Sequence, residues 1–521
     1  MTTTRRALAC AVAVAAALPA SAQAAFDYGV TAAEVTSRSA LLWTRADAPG
    51  IVQLTVTRKH GLKRTLYLRA SPDEDLTVQK LVNGLKPDTA YTYVFARSDK
   101  RSATGHFRTA PPPGRRATVR FALSGDADAL GNYNAFQVYD RMAREHNAFN
   151  VNLGDTIYSD SEVAGALPAL TVADKWAKYK QNLAVANLRT LRAAAAMYNH
   201  WDDHEFINDF TRDELGSTVY AAGVQAFRDY MPVTYVPATG IYRSFRWGRN
   251  LEVFFLDERS FRSAKASADH TCDNPQTGQP DLVPALPQRL RDFFGVIEPS
   301  LKQPTPAACL ATLNDPGRTM LGAAQYERFT NAIRRSKATW KVVVNEVPIQ
   351  QFYALPYDRW EGYEAERLKL VHFLQAKVRN AVFVTTDDHA NLVNTIKYST
   401  LEDTGVKGSG IDEFTTGPVA TRTFAKEIDD ILGRPGTADL VRGAFLKPPP
   451  PNGIGMKCAA LDSYSYAEVK ATRKRLLVAL KDIDGRTVKE SDGRACGPYT
   501  LKARRSAPHA QQNRDRPPNR G

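Results

Sequence analysis

"FNVNLGD" (Phe149–Asp155) is a short strand-like run that stops on an aspartate, and the same ending recurs along the chain. "VRFALSGD" stops at Asp126, "RAAAAMYNHWDDH" leads to Asp203 and His204, "LEVFFLDER" carries Asp257, and "NAVFVTTDDH" stops at Asp387, Asp388 and His389. One such aspartate is an ordinary turn or helix-capping residue. Several together, two of the runs carrying histidine, ask for another reason. Between them lie helical patterns such as "KWAKYKQNLAVANLRTLRAAAAM" (Lys175–Met197) and "AAQYERFTNAIRRS" (Ala323–Ser336), so an α/β domain is expected. Open α/β sheets bind ligands beyond the carboxyl ends of their strands, which would bring these acids into one crevice.

The densest group is "NHWDDHEFINDF" (Asn199–Phe210), where Asp202, Asp203, Glu205 and Asp209 surround His204 among Trp201, Phe206, Ile207 and Phe210. Carboxylates this close repel one another, and burying them among aromatics is costly unless something positive neutralises them. Many carboxylates, a few imidazoles and no thiolate make up the ligand set of hard or borderline metal ions. A metal cluster is therefore the expected partner. Trp201 and Phe210 are expected to pack beneath the acidic loop, whereas Trp360 and Tyr363 in "DRWEGY" would either wall a pocket or anchor a loop.

Ahead of this region, "ALLWTRA", "IVQLTVTR", "RTLYLRA" and "YTYVFAR" are short strand-like runs separated by turn residues, the pattern of a small antiparallel sandwich. "VNGLKPDTAYTYVF" (Val82–Phe95) resembles the Leu-x-Pro turn and Tyr-x-Tyr strand of fibronectin type III and immunoglobulin-like sandwiches. "APPPGRRA" (Ala110–Ala117) breaks both periodicities and reads as a linker. The expected order is a signal peptide at 1–24, a β-sandwich at 25–110, a linker at 111–117, an α/β domain at 118–502 and a basic tail at 503–521.

The first residues join Arg5 and Arg6 to an apolar run and a small-residue exit at Ala20–Ala24, the layout of a cleavable export signal. "TRRAL" weakly resembles a twin-arginine signal, so either a Sec or a twin-arginine route fits, and the protein is expected to be secreted, periplasmic or cell-surface. No other apolar run approaches the roughly 18 residues that span a bilayer. Beyond Cys10 in the signal, the even set Cys272, Cys309, Cys458 and Cys496 favours disulfides, paired by proximity as Cys272 with Cys309 and Cys458 with Cys496. The net charge of +14 is raised by a tail with Lys502, Arg504, Arg505, Arg514, Arg516 and Arg520 against Asp515 alone. Such a tail is a solvated segment with at most weak attraction to anionic surfaces, and no specific nucleic-acid partner is expected.

"NLGDTIYSD" (Asn152–Asp160), "WDDHEFIND" (Trp201–Asp209), "FLDERSFR" (Phe255–Arg262), "WKVVVNEVP" (Trp340–Pro348), "DRWEGYEAER" (Asp358–Arg367) and "VTTDDHAN" (Val384–Asn391), in this order across nearly the whole mature chain, resemble alkaline phosphatases of the PhoD family. The resemblance implies a four-layer metallophosphatase domain, two sheets flanked by helices, with a metal cluster between the sheet edges. It makes Asp155 the carboxylate that bridges the metals, with Asp126 on one side and Asp203 and His389 on the other. It also makes Tyr158 a phenolate ligand for iron, Asp387 a further ligand, and His204 a residue that contacts the leaving group. Family members with an iron-calcium centre carry a cysteine after the first strand, where "SGDADA" (Ser124–Ala129) has Gly125; Asp126 and Asp128 stand where the wider Asp-x-His motif would place two ligands. Calcium or iron, manganese or zinc are all open, in a cluster of two or more ions.

Arg259 and Arg262 either grip phosphate oxygens as guanidinium forks or pair with Glu258 or Asp257 for structural reasons. The chemistry expected is metal-assisted hydrolysis of a phosphomonoester or phosphodiester by a monomeric enzyme. The alternative is a secreted binding protein whose phosphatase-like domain is inactive and metal-stabilised.

Overall fold

Val119–Ser124, Phe149–Asn152, Leu251–Phe255, Trp340–Val344 and Ala381–Thr385 are all strands, and nearly every residue in them is buried. Burial on both faces is what parallel strands between layers require, and it explains why they read as unbroken apolar runs. The protein is described here by a computed structural model that covers residues 26–504 apart from 132, 162, 402–407 and 432. The export-signal reading of residues 1–24 and the basic tail beyond residue 504 lie outside the described residues.

Two sheets pack face to face. The first has nine strands, with Val119–Ser124, Phe149–Asn152 and Ala196–Asn199 parallel at its centre. The second has seven, centred on Leu251–Phe255, Trp340–Val344 and Ala381–Thr385, also parallel. Side chains alternate across each strand. Phe121, Val151, Val342 and Val384 point into the core shared by the two sheets. Ala122 and Met197 face outward under the helices Gln137–Arg144, Val172–Leu183 and Arg212–Tyr230, while Val343 and Phe383 face Ala323–Arg335 and Glu364–Lys377. Each fully buried Val or Phe contributes roughly 1.5–3 kcal/mol, so the layers rather than helix propensity hold the arrangement. This is the expected four-layer architecture.

The helical pattern from Lys175 to Met197 divides in a way its spacing did not reveal. It forms two helices, Val172–Leu183 and Ala186–Ala194, and then becomes the strand Ala196–Asn199. Ala196 pairs with Ala32 on one side and Phe149 on the other, a place where a small side chain suits close packing.

The N-terminal region is all-β, as expected, but its strands are shared. Val30–Ala33 pairs parallel with Ala196–Asn199, and Ser39–Arg45 and Thr77–Asn83 extend the nine-stranded sheet beyond it. The facing sheet, built on Gly50–Thr57, Lys63–Ala70 and Ala90–Arg97, completes the sandwich and joins the same core through Leu54, Tyr93 and Phe95. Residues 111–117 run over this junction, where the Pro111 and Arg115 carbonyls accept from the Gly248 and Arg249 N–H groups.

Cys272 is bonded to Cys309 and Cys458 to Cys496. The second bond ties the edge strand Cys458–Ala460 of the seven-stranded sheet to the segment that precedes Tyr499–Lys502 of the nine-stranded sheet. Its sequence separation is 38 residues, for which chain-entropy reasoning gives about 4 kcal/mol. Replacing both cysteines by alanine is expected to lower the unfolding free energy by that order in urea titration; a change below about 1 kcal/mol would mean that the sheets are held together without it.

Candidate active site

Asp126, Asp155, Asp387 and His389 lie just past the strands Val119–Ser124, Phe149–Asn152 and Ala381–Thr385, with φ of 61°, 48°, 69° and 48°. Left-handed backbone suits aspartate better than most side chains but still costs of order 1–3 kcal/mol per residue. Bonds between the loops hold it. The Asp126 N–H donates to the Gly154 carbonyl (3.2 Å), Ala127 N–H to the Asp155 carbonyl (3.0 Å), and Ala420 N–H to the Asp126 carbonyl (3.0 Å). Gly154 itself has φ +129°, and a Cβ there would sit 2.7 Å from the Asp202 Cβ. Glycine before Asp155 is thus needed both for conformation and for the approach of the next acidic loop.

The side chains then converge. Ligand-type atoms of Asp126, Asp155 and His389 lie within 4.8 Å of one another, as do those of Asp155, Asp203 and His204, and those of Asp202, Asp203 and Asp387. Asp155 belongs to the first two sets and Asp203 to the last two. His389 therefore falls on the Asp126 side of Asp155 and not, as the resemblance implied, beside Asp203. The left-handed turns at Asp387 and His389 send these two side chains to different sets, and Glu427 Oε1, 2.6 Å from His389 Nδ1, holds the imidazole there. Tyr158 Oη is 3.0 Å from His389 Nε2, and its ring lies against His204 with centroids 4.1 Å apart. Asp128 joins none of these sets: its carboxylate accepts from Ser161 Oγ (2.6 Å) and the Leu130 N–H (2.9 Å), although it lines the same cleft.

The described side chains offset these acids only in part: His204 and His389 lie among them, and Arg259 reaches Asp203 at 3.9 Å. Burial pushes the Asp155 carboxyl well above its ordinary range; the charge of His204 opposes this, and those of Asp203, Glu205 and Asp126 add to it. Burial does the same to Asp387 and Asp202, despite Arg359 beside the one and Arg259 beside the other. Burial works against a charged His389, yet Glu427, Asp126 and Asp155 push it up to about 10. Burial likewise opposes charge on His204, but Asp155, Asp203 and a 2.6 Å contact from Nδ1 to Asp160 hold it well above the ordinary imidazole range. Asp126 Oδ1, Asp202 Oδ2 and Asp203 Oδ1 are buried with no hydrogen-bond partner among the described residues. Oxygen and imidazole donors with unpartnered carboxylate atoms fit divalent or trivalent cations.

Gly125 cannot be read as a vacant ligand position. A Cβ there would meet the Gly154 carbonyl oxygen and Thr386 Cγ2, each at 2.9 Å, and Thr386 Oγ1 donates to Asp126 Oδ2. The space next to Asp126 is filled by threonine.

Arg259 and Arg262 are buried, and their charges go to other acids than the neighbours Asp257 and Glu258. Arg259 donates to Asp202 (2.5 Å) and Asp358 (2.6 Å), and Arg262 pairs with Asp358 (2.8 Å) and donates to Tyr363 Oη (3.0 Å). Neither lines the cleft, which has a volume of about 570 Å³ and is bordered by Arg359 and Arg422. Arg359 pairs with Asp388, and its Nη1 has no hydrogen-bond partner among the described residues. Trp360 donates to Glu258 and Tyr363 to the Ser263 carbonyl, so both anchor loops; Trp201 and Phe210 are core. Asp160 and Arg359 stand inside the motifs that carried the resemblance, but nothing in their spacing separated them from surface charges. Glu427, on the helix Phe424–Ile431, had no local signal at all.

Gly125→Cys is expected to lower the thermal midpoint and not to raise bound iron, because the new Cβ meets backbone oxygen. A stable Gly125→Cys protein with increased iron content would show that the threonine and the Gly154 loop yield.

Comparison with known proteins places the chain in a family. The family model described as PhoD-like phosphatase matches residues 124–475, and that of the PhoD-like phosphatase N-terminal domain matches residues 11–111. Alkaline phosphatase D of Bacillus subtilis (strain 168) is 25% identical over 415 residues, which cover 70% of this chain and 64% of that protein. The solved structure of PhoD superposes with a TM-score of 0.68 at 21% identity, over 92% of this chain and 95% of that one. A purple acid phosphatase from yellow lupin (Lupinus luteus) seeds has a TM-score of 0.54 at 13% identity, over 91% and 74% of the two chains. With its central region matched end to end, the chain belongs to the PhoD-like phosphatase family.

Proposed function

We propose that this chain is an exported, metal-dependent phosphoric ester hydrolase that acts on a phosphomonoester or phosphodiester. The observation that carries the reading is the position of Asp155, whose carboxylate belongs to two acidic sets at once and so can bridge two cations. Asp126, His389 and Tyr158 would hold one ion, and Asp203 with Asp387 the other. Asp128, tied to Ser161, takes a supporting place. The absence of any thiolate from the donor set favours an ordinary dinuclear pair of calcium, iron, manganese or zinc over a cysteine-ligated centre. Bound cations would supply positive charge to phosphoryl oxygens and lower the pKa of the attacking water.

The chain's own residues do the rest. Asp160 occupies Nδ1 of His204, leaving Nε2 for the cleft, and the acids around it favour the protonated ring. A protonated His204 can give its Nε2 proton to the leaving alkoxide, a step worth roughly 10² to 10⁴ in rate. Arg359, oriented by Asp388, lines the cleft and would attract a phosphate group there, and Arg422 lines the same wall. Arg259 and Arg262 act at one remove: by holding Asp202 and Asp358 they fix the loop that carries Asp203.

The test is hydrolysis of an aryl phosphomonoester and a bis-aryl phosphodiester by the purified protein, before and after chelation and with each of the four metals added back. Turnover lost to chelator and restored by metal is expected; no turnover with any metal would favour the binding-protein reading.

Asp155→Asn removes charge without volume and is expected to abolish turnover while the thermal unfolding of the metal-free protein changes little. An active Asp155→Asn protein would overturn the site. His204→Asn is expected to cost roughly 10² to 10⁴ in kcat for an alkyl ester and much less for an aryl ester with a good leaving group. Equal losses on both esters would mean that His204 does not protonate the leaving group.

A further inference from the structure

The strands that end in acids begin in bases. Arg116 precedes Val119–Ser124, Arg249 precedes Leu251–Phe255 and Lys337 precedes Trp340–Val344, and a second pocket, of about 470 Å³, collects these three together with Arg473, Lys474 and Arg504. All six side chains are exposed, none makes an ion pair among the described residues, and no carboxylate lines the pocket there. Like charges gathered at this density repel one another and raise the local positive potential, which concentrates anions.

The walls are rigid. Asn250 Nδ2 donates to the Ala117 carbonyl (2.5 Å), and Asn380 Nδ2 donates to the carbonyls of Thr339 (3.0 Å) and Arg504 (3.2 Å) while its Oδ1 accepts the Arg504 N–H (2.7 Å). Separate chain segments are thereby fixed around one opening. Arg504, the last described residue, lines this pocket, and the sequence beyond it adds Arg505, Arg514, Arg516 and Arg520.

We propose that this basic pocket, at the end of the sheets opposite the acidic cleft, is an anchoring site for a linear phosphate polymer. A polymer suits it better than a bilayer, because the pocket is concave and offers no apolar side chain larger than alanine to insert. It suits a plain phosphate chain better than single-stranded nucleic acid, because no aromatic ring lines it on which bases could stack. A five-residue strand is about 17 Å long, so the segment held here is distinct from any segment at the cleft. The proposal goes beyond the hydrolase reading and is measured without turnover.

The experiment is binding of long-chain inorganic polyphosphate to the full chain, followed by fluorescence anisotropy across a salt series, alongside poly(glycerol phosphate), single-stranded DNA and anionic phospholipid vesicles. Arg473→Glu with Lys474→Glu, and Arg116→Glu with Arg249→Glu, are compared with a chain ending at Arg504. Both phosphate polymers are expected to bind. Each charge-reversal pair should weaken them about tenfold or more and flatten the logarithmic salt slope by roughly 0.7 for every phosphate left unpaired, with turnover of a small aryl ester unchanged. The chain ending at Arg504 should keep most of the affinity. Unaltered polymer binding in both reversal pairs, loss of binding only on removal of the tail, tighter binding of DNA or vesicles than of the polymers, or no binding by the parent protein would each overturn the proposal.

Discussion

Burying Asp126, Asp155, Asp203 and Asp387 within reach of one another is the constraint on which the rest of the structure depends. Taking one carboxylate out of water costs several kcal/mol even after relaxation, and neighbouring charges of the same sign add to the cost. The fold places three buried arginines nearby, and their shortest pairs are with other acids: Arg259 with Asp202 and Asp358, Arg262 with Asp358, and Arg359 with Asp388, while Asp203 lies 3.9 Å from Arg259. What these pairs achieve is position. They fix the loops from which Asp203 and Asp387 project, and on the proposed reading bound cations would neutralise the four carboxylates. Metal binding in such a site would be inseparable from the stability of its loops, since the free energy of a bound ion would offset both the desolvation and the left-handed backbone at Asp126, Asp155, Asp387 and His389.

The platform beneath has to be stiff for this to hold. Parallel strands covered on both faces cannot shift without exposing Phe121, Val151, Val342 or Val384, and close-packed interiors do not deform gradually. The N-terminal strands contribute directly. By pairing with Ala196–Asn199, the strand Val30–Ala33 takes away what would otherwise be an open edge next to the strand that leads to Asp202 and Asp203. The β-sandwich is thus part of the support of the acidic loop as well as an addition at the front of the chain.

That same dependence on layers determines what could be read from sequence. Strands buried on both faces appear as continuous apolar runs, and an acid at the end of each run is visible at once, which is why Asp126, Asp155, Asp203 and Asp387 were legible. The assignment of partners was not. Arg259 and Arg262 stand in a motif with acids on either side, but their carboxylates, Asp202 and Asp358, are 57 and 99 residues from Arg259, at distances only the fold sets. Glu427 orients His389 from a helix without any recognisable pattern, and the threonine that fills the space beside Gly125 comes from the far end of another strand. The joining of the sandwich to the nine-stranded sheet rests on Ala32 opposite Ala196, two alanines that no local rule would match.

The chain as a whole carries +14, yet its cleft is lined by Asp128, Asp155, Asp160, Asp209, Asp358 and Asp387. Without cations such a cleft repels a phosphate, whatever the net charge of the molecule, because nearby carboxylates outweigh distant lysines within a Debye length of about 10 Å. With cations the local sign reverses. The metal would then govern capture of the substrate as well as its chemistry, and the residues that tune metal affinity, Glu427 through His389 and Thr386 through Asp126, would also tune the approach of the phosphate ester. A cleft so organised would need few arginines of its own: Arg359 and Arg422 line it, and most of the positive charge would arrive with the ions.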